Sequence, residues 1–116
     1  MAVVNGSQVW NARRTSTTTW TPLLNTDTGS PESCGRLSDR SVQVKGTFGA
    51  APSVLIEGSN DGITWATLRG PDSVALNFTA ADIKEILENT LFVRPRVAAG
   101  DGTTSITVIL TAASTA

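Results

Sequence analysis

From Arg40 onward, apolar and polar positions alternate along several stretches. In SVQVKGTF, Val42, Val44 and Phe48 fall on one side, and Gln43 and Lys45 on the other. Successive side chains of an extended chain point to opposite faces, so this period of two predicts a half-buried strand. SVLIEGS repeats it, with Val54 and Ile56 inward and Leu55 and Glu57 outward. Asn60-Asp61-Gly62 then supplies residues that tolerate a positive φ. ITWATL is therefore expected as the returning strand of a hairpin, with Trp65 in the core. SVALNF alternates Val74, Leu76 and Phe78, and TLFVRPRVA sets Leu91, Val93, Pro95 and Val97 against Phe92, Arg94 and Arg96. Pro95 has no N–H to donate, which predicts an edge strand or a bulge there. After a second turn at Asp101-Gly102, TSITVILTA closes the chain with Ile106, Val108 and Leu110 inward.

One stretch changes period. Thr79-Ala80-Ala81-Asp82 has the form of a capping box, and Ile83, Ile86 and Leu87 follow at helical spacing. A short helix is expected over about 80–88, packed on the sheets because ten residues do not hold a helix alone. The first forty residues are less regular. Thr15–Leu24 reads as one strand, and Thr26–Asp39 as a loop broken by Gly29, Pro31 and Gly35. The expected architecture is all-β: a single domain built as an antiparallel sandwich or jelly roll with one short helix. Residues 1–40 form an arm and first strand, and 41–116 the body.

Composition fits this picture. The chain has 116 residues, enough for one core, and 40% of them are hydrophobic. Only 16% are charged, with Thr, Ser, Asn and Gly in their place. A net charge of -1 argues against a nucleic-acid binder, which ordinarily carries a basic face. A single cysteine, Cys34, cannot close a disulfide within the chain. MAVVNGSQVW lacks the basic-then-apolar order of a signal peptide, and no apolar run is long enough to cross a bilayer. These features predict a soluble chain folded in a reducing cytoplasm, with no membrane partner.

Catalytic chemistry is sparse. There is no histidine, the commonest general base and metal ligand, and no tyrosine. Cys34 and the serines lack an activating base, so no catalytic residue is assigned and an enzyme is not expected. Asp82, Glu85 and Glu88 recur at i, i+3 and i+6, which on a helix is a solvated acidic face before it is a carboxylate pair. Gly58 to Gly62 offers oxygens but not the regular acid spacing of a calcium loop, so neither metal nor cofactor is assigned. Arg13, Arg14, Arg94 and Arg96 are not clustered with aromatics in the sequence, and salt bridges or subunit contacts are their expected use. Trp10 and Trp20 lie among polar residues, where a large ring is either core or an interface anchor.

The segments VQVKGTFG, VLIEGSNDGITWATL and LNFTAADIKEILENTLFVRPRVAAGDGTTSITVIL together resemble small virion proteins of tailed bacteriophages. The resemblance covers residues 42–110. It implies a capsid decoration (cement) protein, often a homotrimer, bound to the major capsid protein on the virion surface after synthesis in the host cytoplasm. Trp10, Arg13, Arg14 and Trp20 are then the candidate contact residues. The SNDG hairpin with its Trp, followed by FVRPRV, also resembles discoidin-like jelly rolls, which bind sugars or lipid headgroups. This leaves a tail or baseplate component, or a carbohydrate-binding module, as the alternative.

Overall fold

The computed structural model describes residues 2–10, 15–35 and 37–114. Twelve strands follow one another: β1 (Val3–Val4), β2 (Ser7–Trp10), β3 (Thr15–Leu24), β4 (Thr28–Gly29), β5 (Glu32–Ser33), β6 (Asp39–Thr47), β7 (Ser53–Ser59), β8 (Ala66–Thr67), β9 (Asn77–Phe78), β10 (Asp82–Glu85), β11 (Phe92–Ala99) and β12 (Ser105–Ala113). They make two sheets. The seven-stranded sheet runs β1-β4-β11-β7-β8, with β5 also on β11 and β9 also on β7. The five-stranded sheet runs β10-β6-β12-β3-β2. The all-β sandwich expected from the alternation is what forms.

Its core lies between the sheets. From one side come Val54 and Ile56 of β7 with Val93 and Val97 of β11; from the other come Val42 and Val44 of β6 with Ile106, Val108 and Leu110 of β12. All are buried, as their inward parity predicted. β3 adds Leu23 and Trp20, the latter 1% exposed. Trp20 donates from Nε1 to the Ser30 carbonyl at 3.0 Å, so the ring is buried without orphaning its N–H.

Three local expectations are corrected. No helix forms among the described residues. Residues 82–85 instead pair as strand β10 with β6, matching Ile83 to Gln43 and Glu85 to Ser41. The backbone then continues across, with Ile86 N–H donating to Arg40 O and Leu87 N–H to Arg69 O. Sheet pairing supplies partners that a short helix, marginal by itself, could not match. Second, the stretch read as a loop over Thr26–Asp39 contains β4 and β5, each two residues long. Third, Pro95 sits inside a sheet. Ile56, its partner on β7, bonds away from it, through Leu76 O and Leu68 N–H. Pro95 therefore turns its nitrogen to the opposite side, where pairing lapses between β4 and β5. The missing N–H costs nothing there, and the bulge in this ladder falls later, between Val97 and Ala99.

Candidate interaction surface

The outer face of the seven-stranded sheet concentrates charge and aromatic surface. Outward parity puts Phe92, Arg94 and Arg96 of β11 beside Ser59, Glu57 and Leu55 of β7. Arg94 stands directly opposite Glu57 and Arg96 diagonally from it. The Glu57 carboxylate bridges both: Arg94 Nε donates to Oε1 and Arg96 Nε to Oε2, each at 3.0 Å. Glu57 is only 6% exposed. Two guanidinium partners offset the cost of burying its charge.

Trp65 completes the cluster. β7 lies between β11 and β8, so Arg94 crosses β7 to place its Cζ 4.1 Å from the Trp65 ring centroid. This is cation–π range. Trp65 is half-buried on this outer face, which corrects its expected place in the core. The side chain that enters the core from the returning strand is Leu68, of opposite parity. Arg94 and Arg96 each engage Glu57 through Nε, so among the described residues their Nη nitrogens have no protein acceptor. With two guanidinium groups against one carboxylate, the cluster keeps one net positive charge.

The adjoining hairpin tip is held stiffly. Asp61 Oδ1 accepts from Ile63 N–H, Thr64 N–H and Ser59 Oγ, each at 2.8 Å. These bonds, that from Thr64 first, draw the Asp61 carboxyl down to about 2. Gly62 has φ +74°, the left-handed turn expected of it. Asn60 Oδ1 accepts from Leu91 N–H at 2.9 Å and ties the tip to the next connection. Ile63 at this tip, two residues before Trp65, is 82% exposed. An apolar tip thus borders the Arg–Trp cluster.

The residues singled out from the sequence do not gather. Trp20 is in the core and unavailable to a partner. Trp10 is 57% exposed at the end of edge strand β2, on the other sheet. Arg13 and Arg14 lie outside the described residues. The Asp82–Glu85–Glu88 series is not a helical face: Asp82 and Glu85 sit on opposite sides of β10, and Glu88 binds Arg69 Nε at 2.7 Å. Among the described residues no group of three or more acids or thiols is placed to hold a metal. The Arg–Trp cluster escaped sequence reading because it joins the β7–β8 hairpin to β11, a strand paired with β7 from far along the chain. Its signal was there in part, as two arginines at i and i+2 and an outward Glu57.

No protein-family model matches the chain, and no curated protein does. Among solved structures it is similar to the SPBc2 prophage-derived protein YomS, with a TM-score of 0.64 and 12% identity over 91% of this chain and 100% of that one. It is also similar to KdgF from Halomonas sp., with a TM-score of 0.43 and 12% identity over 93% of this chain and 76% of that one. At these identities the likeness to YomS establishes a shared fold, and the second match carries no argument.

Proposed function

We propose that this chain is a non-enzymatic structural protein of a bacteriophage particle, of the decoration type, bound to the major capsid protein and bridging its neighbouring subunits. The observation that carries the reading is the Trp65–Arg94–Glu57–Arg96 cluster on an open sheet face. Small substrates are ordinarily enclosed in clefts. A flat face with an aromatic ring, two arginines and an apolar rim suits another protein's surface, and Trp and Arg are the usual anchors there. The net positive charge of the cluster suits carboxylates on that surface. The fold shared with a prophage-derived protein supports the reading, as does the motif resemblance of residues 42–110. Exposed Trp10, with Arg13 and Arg14 next along the chain, offers a second contact. Cys34 is spared for structure, since burial pushes its thiol up to about 11 and keeps it protonated near neutrality.

The test is to image particles carrying a tagged copy by electron microscopy and to add folded variants to particles stripped of the parent. Regular density over the head is expected. Trp65→Ala and Arg94→Ala are expected to bind roughly tenfold more weakly or worse. Density absent from the head overturns the assignment. The second reading is a tail or baseplate component, or a carbohydrate-binding module using the same face. The half-buried Trp65 ring favours it, and tail-only density or glycan binding abolished by Trp65→Ala would select it.

A further inference from the structure

The four-residue strand β2 is an unguarded sheet edge, and we propose that it pairs antiparallel with β2 of a second copy of this chain. Pairing leaves the Arg–Trp face open and takes Trp10 for a second copy instead of the capsid. The sheet edges differ in how they are guarded. An edge strand presents unpaired N–H and C=O groups, and proteins block such edges with charge, proline or shortness. The opposite edge of the same sheet, β10, carries Asp82, Lys84 and Glu85 in four residues. The strands β1, β8 and β9 of the other sheet have only two residues each. By contrast β2, Ser7–Trp10, has no charge and no proline, and all four of its residues are exposed. Among the described residues its one neighbour is β3. Every second residue of such a strand turns its backbone groups away from that neighbour. Val9 is 55% exposed and Trp10 57%.

A second copy is the occupant that the geometry favours. Antiparallel pairing of a strand with itself about a twofold axis is self-complementary, so it needs no second sequence. That axis stands perpendicular to the sheet and keeps each core-side face on the same side. Opposed residues must then share parity. A pair centred on Val9 sets Val9 against Val9 of the other copy on the outer face. On the inner face Trp10 covers Gln8 of the other copy. Both exposed apolar side chains of β2 are thereby covered, and the two five-stranded sheets become one continuous sheet. Four residues bury much less surface than a standard interface, so free in solution the association is weak, on the order of micromolar or weaker. Copies held side by side on a larger assembly would pair far more completely.

The experiment uses the full chain. Sedimentation velocity over a concentration series is expected to show a monomer–dimer equilibrium. Val9→Lys, which places a charge at the centre as β10 does at its edge, should abolish the dimer at an unchanged melting temperature. Directly opposed antiparallel residues have Cα atoms about 4.5–5.5 Å apart, within disulfide reach. Val9→Cys should therefore cross-link to a dimer under mild oxidation. Ile83→Cys on the charged edge should not, and buried Cys34 does not compete. A chain that stays monomeric at every concentration with no Val9→Cys cross-link overturns the proposal, as does a dimer that survives Val9→Lys. So does a monomer whose Val9→Lys variant loses attachment to particles, because that edge then takes a strand from another protein.

Discussion

Two tryptophans in different sequence settings end on different sides of their sheets. Trp20 sits among threonines and is buried; Trp65 follows a well-formed turn on a patterned strand and lies on the outer face. ITWATL admits two parities, and the structure buries Leu68 in place of Trp65. Leu68 fills the core beside Ile56, whose carbonyl accepts its N–H at 2.8 Å, and Trp65 is left to Arg94. The energetic consequence is direct. Trp20→Ala is expected to cost roughly 3–5 kcal/mol, as for a large buried ring. Trp65→Ala should cost only about 1 kcal/mol, the scale of a half-exposed cation–π contact. Urea midpoints of the two variants check this, and equal losses would count against the placement of either ring. Glycines give a second contrast at this scale. A Cβ at Gly62 meets only the Phe92 ring edge, at 3.5 Å, so Gly62→Val pays mainly for its φ of +74°, about 1–2 kcal/mol. At Gly46, φ is +125° and a Cβ would collide with the Ser105 carbonyl oxygen of the neighbouring strand. Gly46→Ala is expected to lower the midpoint further than Gly62→Val despite its smaller side chain.

At the scale of elements, alternation was reliable in four of the strands that have sheet on both sides and silent in β3, which also does. β6, β7, β11 and β12 all bury the parity that their sequences announce. Residues 79–88 misled because a capping box and a helical stripe are local signals, while β6 offered an open edge that no local pattern reveals. Part of the capping signal survives in another form, with Asp82 Oδ1 accepting its neighbour Ile83 N–H at 2.8 Å. The Arg–Trp cluster was hidden for a related reason, since register between β7 and β11 is set across more than thirty residues of chain. Turns, by contrast, were legible from composition, and they carry a pH dependence. Asp61 has its carboxyl drawn from the ordinary 3.8 to about 2 by the hydrogen bonds of its own hairpin. Asp101 is lowered as well, first by the Thr103 hydroxyl and then by Ala50 N–H. A carboxylate depressed in the folded state binds protons more readily when unfolded. Its contribution is complete above about pH 4 and is lost as the pH falls toward about 2. Melting temperature should therefore drop through that window, and the drop should be shallower in Asp61→Asn. An unchanged slope would mean that the hairpin bonds do not couple to stability.

On the scale of the whole molecule, residues 2–10 and 15–35 are woven into both sheets. β3 is paired on both sides, and β4 and β5 flank β11. Residues 2–10 cross over from one sheet to the other. β1 lies parallel to β4, with Ser30 N–H donating to Val4 O at 2.7 Å, and β2 then joins β3. Between them Gly6 passes so close to Trp20 that a Cβ there would lie 2.8 Å from Nε1 and 2.8 Å from the Thr18 methyl carbon. The segment is thus a cover for Trp20 and for Thr18, whose buried hydroxyl has no partner among the described residues. Removing residues 2–14 takes away that cover but leaves the ladder of β3 with β12, which runs from Thr15 to Leu24. The truncated chain is expected to keep the circular dichroism of a β-sandwich and to lose roughly 2 kcal/mol, the scale of partly re-exposing one large apolar side chain. Made in a Trp10→Phe, Trp65→Phe background, where Trp20 is the only emitter, the truncation should also shift fluorescence to the red and open it to quenching. A truncated chain with the parental midpoint and unshifted emission would show that β3 and β4 seal the core alone. One that fails to fold would show that the crossing strands close the sandwich.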